Sequence, residues 1–159
     1  MTGGIMKNEM GYYFEEFAVG DVIVHSKAKT IFESDNNLFC LLTMNHHPLH
    51  INTNYANESE HKKILVVGTL VFSLVVGLTV SDLSGKAIAN LNYKDIIHIN
   101  PVFIGDTISA ASKILSKRES KTKTDRGIIE VETLGINQNG QDVISFRREI
   151  LLLKGDIDD

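Results

Sequence analysis

The stretch MNHHPLHIN, residues 44–52, places three histidines within five positions, around Pro48 and between Asn45 and Asn52. Histidine titrates near neutrality, so it can both accept and donate a proton. Three chemistries are open to such a stretch: a metal site, an acid–base pair, or a polar loop. His46 and His50 have the i, i+4 spacing of a helical zinc pair. That geometry needs an unbroken helix to bring both rings to one face, and Pro48 breaks it. No second cluster of Cys, His and carboxylate supplies the three or four ligands zinc takes, so no metal is expected. His46 and His47, taken singly, suit a helix exit, and nothing near His25, His61 or His98 in the sequence makes a constellation. The acid–base reading needs Asn45, where one helix ends, and His50, where the next is about to start, to converge across the Pro48 turn.

The elements that would position them follow from pattern. VIVHSKAKTI (22–31) is rich in β-branched residues and reads as a strand. In SDNNLFCLLTM (34–44), Ser34 or Asp35 can cap a helix whose Leu38, Leu41 and Leu42 recur at helical spacing. Pro48 forces its end shortly after. NTNYANESE (52–60) reads as a short helix. ILVVGTLVFSLVVGLTV (64–80) is shorter than the ~20 apolar residues of a membrane span. Gly68, Thr69, Ser73, Gly77 and Thr79 also interrupt it. It predicts a buried helix over 68–83, starting at Gly68.

Four strands follow, at about 87–99, 107–118, 127–138 and 142–153, with NQNGQD (137–142) as a hairpin cue. ESKTKTDRG (119–127) is a polar connection. Consecutive strands with short turns predict an antiparallel sheet. The expected fold is α+β, one domain over 12–155, with the sheet curved around the long helix. Residues 1–11 are expected to be loose and 156–159 to be a tail. Open sheet edges predict a homodimer or a higher homo-oligomer.

Composition narrows the partners. With 159 residues, 43% of them apolar and 23% charged, the chain is an ordinary globular one. A net charge of −4 gives nucleic acid no electrostatic attraction. The single cysteine, Cys40, excludes an intrachain disulfide and a CxxC site, and it is expected in the core. The opening MTGGIMKNEM has no apolar run of a signal peptide, so a cytoplasmic protein is expected.

The run Asn45, His46, His47, Pro48, Leu49, His50 resembles the hydratase signature of the MaoC-like, R-specific enoyl-CoA hydratase family: Asp, any residue, Asn, Pro, an aliphatic residue, His. YYFEEFAVGDVI (12–23), VVGTLVFSL (66–74) and NPVFIGDTI (100–108) are similar to further parts of that family, in the same order. The resemblance covers most of the chain. It implies a hot-dog fold, a dimer, an acyl-CoA substrate and no cofactor. It also implies that His50 acts as acid and base on a water that adds to an enoyl thioester. The Gly68 N–H, beside Thr69, would take the thioester oxygen.

The departure is Asn45, which can orient a water but cannot take its proton. Asp35 lies roughly 15 Å away along its helix, and Glu58 and Glu60 lie down the next one. Neither is a local substitute. Asn45 with ESKTKTDRGI (119–128) looks closer to the mesaconyl-CoA and itaconyl-CoA hydratase branch, whose substrates carry their own carboxylate. Arg118, Lys121 and Lys123 are candidates to meet CoA phosphates. Two other functions compete: a hot-dog thioesterase, although residues 68–81 hold no carboxylate before Asp82, and an inactive acyl-CoA-binding protein.

Overall fold

The computed structural model describes residues 10–155. The expected loose segment 1–11 and tail 156–159 therefore lie outside it, except for Met10 and Gly11. Met10 is exposed and Gly11 is half-buried. Gly11 sits at φ +77°, and a Cβ there would come within 2.8 Å of the Gly85 backbone.

Four long strands build the sheet: β3 (Ala87–His98), β4 (Thr107–Glu119), β5 (Arg126–Ile136) and β6 (Asp142–Leu153). All pairs are antiparallel and the four run in the order β4–β5–β6–β3. Each long strand falls within two residues of its expected bounds. The alternation in β6 sends Val143 with Ile144, then Phe146, Arg148, Ile150 and Leu152, to the buried side. The NQNGQD turn joins β5 to β6, with Gly140 at φ +74° and the Asn137 Oδ1 accepting from the N–H of Asn139 and of Gln141.

The strand expected over 22–31 is two short ones, β1 (Val22–Val24) and β2 (Lys29–Thr30), both on β4. Between them the His25 N–H still donates to the Ala110 carbonyl of β4 at 3.0 Å, and its ring is buried. The first long helix, α1, spans Glu33–Thr43. Its start is fixed by Asp35, but from inside the first turn: the carboxylate accepts the Phe32 N–H at 2.9 Å, and Phe32 is the cap residue. Two short helices follow, α2 (Pro48–Ile51) and α3 (Thr53–Glu58). Asn52 caps α3 by accepting the Tyr55 N–H.

The apolar helix α4 spans Gly68–Leu78 and continues as a π turn over Val80–Ser84. It lays Val71, Val75 and Leu78 against Ile108, Ala110, Ile144 and Phe146. Burying each such side chain contributes about 1.5–3 kcal/mol. Thr69, Ser73 and Gly77, four apart, form its exposed side. Gly135 of β5 allows the helix to approach so closely, since a Cβ there would meet Val75 Cγ2 at 2.6 Å. A second cluster, around Leu83, Ile114, Ile129 and Ile150, closes the far end with Phe14 and Phe17. Among the described residues, no helix is long and apolar enough to cross a membrane.

Candidate active site

The candidate residues Asn45, His50 and Gly68 lie just past the end of α1, within α2 and at the start of α4. α1 stops on Met44, a left-handed residue at φ +61°, and the Asn45 N–H returns to the Cys40 carbonyl at 3.0 Å. Asn45 is half-buried, and its carboxamide meets no hydrogen-bond partner among the described residues. Pro48 does more than end a helix. Its fixed φ suits the first helical position, so it opens α2, and His47 caps that turn with Nδ1 accepting the Leu49 N–H at 3.2 Å. His50 therefore stands inside a one-turn helix. His46 is exposed at the turn, while the rings of His47 and His50 lie with centroids 5.9 Å apart. Among the described residues, no group of three or more His, Cys, Asp or Glu could hold a metal ion.

The His50 imidazole is held by one contact that defines its chemistry. Nδ1 lies 2.7 Å from the Leu65 carbonyl oxygen. A carbonyl only accepts, so Nδ1 carries the proton and Nε2 is left with its lone pair. The run Ile64–Val67 supplies that carbonyl. It is fixed by Leu65 N–H to Leu49 O (3.3 Å), by Val66 N–H to Val102 O (2.9 Å) and by a bridge between Leu65 and Phe103. Two cavities flank this run. One, of about 190 Å³, is lined by His50, Asn36, Ile64 and Glu33 among others. The other, of about 390 Å³, is lined by Gly68, Leu65, Val66, Val71, His61 and His98 among others.

Gly68 is the first residue of α4. The first intrahelical bond runs from the Leu70 N–H to Val67 O, so the Gly68 and Thr69 N–H groups precede the ladder and are available to a ligand. A Cβ on Gly68 would stand 2.8 Å from His98 Cε1. Thr69 is exposed beside it. His98, set aside by sequence, thus lies against Gly68 across the strand end.

Arg118 and Lys121 are not brought here. Arg118 is at the other end of β4, roughly 35 Å along the strand from Thr107, and its guanidinium faces Glu149 at 3.7 Å. Lys121 and Lys123 are exposed in the β4–β5 turn. His61 and His98 line the larger cavity, and Lys63 stands nearby with Nζ 3.9 Å from the Phe103 ring centre.

Sequence reasoning also missed two features. Glu33 lines the His50 cavity, and its spacing to Asn36 and Asn37, i to i+3 and i+4, was the signal. His25 does belong to a constellation: Nδ1 to Asp82 Oδ2 at 2.7 Å, Nε2 to Ser112 Oγ at 2.9 Å, and Ser112 Oγ to Thr133 Oγ1 at 2.8 Å. Its partners lie 57 and 87 residues away, so no local pattern announces it. Ser112 is buried, which keeps any substrate from its hydroxyl. The chain ties the π turn to the sheet.

A helix laid across a curved antiparallel sheet, with polar groups gathered at the helix start, is the hot-dog fold. A double hot-dog protein from Mycobacterium tuberculosis matches it with a TM-score of 0.85 at 18% identity, over 94% of this chain and 46% of that one. A MaoC domain protein from Chloroflexus aurantiacus matches with a TM-score of 0.91 at 33% identity, over 98% of this chain and 44% of that one.

The chain belongs to the mesaconyl-CoA hydratase family, whose model matches residues 4–156. The mesaconyl-CoA hydratase of Cereibacter sphaeroides is 32% identical over 151 residues, which is 95% of this chain and 44% of that protein. The chain thus spans about half the length of that relative.

Proposed function

We propose that this chain hydrates the 2,3-double bond of enoyl-CoA thioesters, with mesaconyl-CoA and itaconyl-CoA as the substrate class, in the cytoplasm and without a cofactor. The observation that carries the reading is the Nδ1–H of His50 on the Leu65 carbonyl, which leaves Nε2 as the base. Asn45 holds the water. His50 Nε2 takes one proton from it as the oxygen bonds to C3. The π electrons of the double bond move toward C2 and the thioester oxygen. The imidazolium then returns a proton to C2, so His50 ends neutral and the product is the 3-hydroxyacyl thioester. The Gly68 N–H, at the positive end of α4, donates to the thioester oxygen while it carries charge.

The larger cavity supports the acyl class. Its apolar wall suits a short branched chain, and His61 and His98 offer donors to a substrate carboxylate. The substrate thus brings a carboxylate of its own to a site whose position 45 carries none. Asp82 is engaged by His25, which weighs against a thioesterase built on a carboxylate near the central helix. The unpaired edge of β3 supports a homodimer.

Loss of enoyl-thioester absorbance tests the reading, with mesaconyl-, itaconyl-, crotonyl- and octenoyl-CoA, and with free thiol followed in parallel. Mesaconyl-CoA should be hydrated fastest without release of thiol, and His50→Ala should abolish it. A clear preference for crotonyl-CoA sinks the substrate class. Thiol release, or no turnover on the whole panel, sinks the hydratase.

A further inference from the structure

We infer that Asn36 is a positioning residue that locks the His50 turn to the start of α4 through a single carboxamide; the inference rests on the hydratase reading. Asn36 is 1% exposed and stands on the inner face of α1. Its Nδ2 donates to the His50 carbonyl oxygen at 2.9 Å. Its Oδ1 accepts the N–H of Val67, the residue before Gly68, at 3.1 Å. The two bonds close a circuit. From the His50 carbonyl it runs through Asn36 to Val67, back along Val66 to Leu65, and from the Leu65 carbonyl to His50 Nδ1–H. His50 is thus tied at its backbone and at its ring to the run that leads into Gly68.

Only a carboxamide completes this circuit, because one bond needs a donor and the other an acceptor. Aspartate would keep the Val67 bond but set an oxygen against the His50 carbonyl. Leucine would leave both buried backbone groups unmet. Asn36 touches no reacting atom in the proposed mechanism. Its effect is on the relation between Nε2 of His50 and the Gly68 N–H, the base and the oxyanion donor. Misplacing such groups by about 1 Å costs on the order of 100-fold in rate.

The test uses Asn36→Asp and Asn36→Leu in the full chain, with folding checked by circular dichroism. Steady-state hydration of the best substrate is measured across pH, and the His50 ring nitrogens are followed by NMR without substrate. In the wild type, NMR should find Nδ1 protonated in the neutral ring. In both variants kcat should fall about 10- to 100-fold with KM little changed, the pH profile of kcat should shift, and the ring should populate both tautomers. Wild-type kcat in a folded variant overturns the inference, and so do unchanged His50 ring signals. Failure of both variants to fold also overturns it, since Asn36 would then be a folding residue. The NMR arm needs no turnover. If the wild type hydrates nothing, the hydratase reading falls while the positioning of His50 is still judged.

Discussion

Arg148 carries a guanidinium to 0% exposure with no carboxylate beside it among the described residues. Its Nη2 donates to Thr79 Oγ1 and its Nη1 to Asn90 Oδ1, while Nε has no partner among the described residues. Burial pushes its pKa down, and neighbouring Tyr93 acts the other way. An unpaired buried cation is a net cost to the fold. Arg148→Met keeps an unbranched apolar stem and removes the charge. It leaves Thr79 Oγ1 still bonded to the Val76 carbonyl. Thermal unfolding of the variant should show it unchanged or more stable, by up to about 4 kcal/mol; a clear loss of stability would mean that the two hydrogen bonds outweigh desolvation. The alternation of β6 already placed Arg148 in register with Phe146 and Ile150. Its burial was legible in the sequence, although its lack of a counter-charge was not. Asn36 shows the opposite case. Two adjacent asparagines in a helix carry no signal of which is buried, because its partners at positions 50 and 67 meet it only in the fold.

At the scale of elements, the strands were readable because alternation extends over ten or more residues, and α4 because its apolar run leaves one polar stripe. α1 was readable as a helix but not in orientation. Its leucines, Leu38, Leu41 and Leu42, are exposed, whereas Asn36 and Cys40 face inward. Helical spacing gives a face, but here the inner face was taken by the residues that serve the site. The start of α1 is also a pH-sensitive joint. The Lys29 ammonium, 2.8 Å from Asp35, and then the Phe32 N–H hold the Asp35 carboxyl below its ordinary value of 3.8. The folded chain therefore binds that proton less readily than the unfolded one. The contribution of Asp35 is complete above pH 3.8 and is lost as pH falls through the lower folded value. Both side chains are partly exposed, so solvent screens the ion pair. Asp35→Asn keeps an acceptor for the Phe32 N–H and removes the charge, so it should lower stability by less than about 1 kcal/mol near neutrality. The gap to wild type in thermal unfolding should close on acidification below 3.8. A gap that persists in acid would show that the carboxylate charge is not what holds the joint.

Among the described residues, the whole molecule leaves the outer edge of a long strand unpaired. β3 lies at the end of the sheet order, bonded to β6 alone. Ile88, Leu91, Ile96, Ile97 and Ile99 are exposed along and just beyond it. Soluble proteins blunt such edges with charge, bulges or cover. Three register shifts twist this one, and Lys94 and Asp95 add charge near its middle, but the apolar side chains flank them on both sides. The homodimer proposed above would cover this edge with a second copy of the chain. Each isoleucine or leucine covered in such a contact contributes about 1.5–3 kcal/mol, so two lysines should disrupt it. Sedimentation of the wild type should give a dimer, and Leu91→Lys with Ile97→Lys should give a folded monomer. A monomeric wild type would leave the apolar edge unexplained by self-association. A dimeric double variant would move the interface to the other apolar surface, the outward leucines of α1.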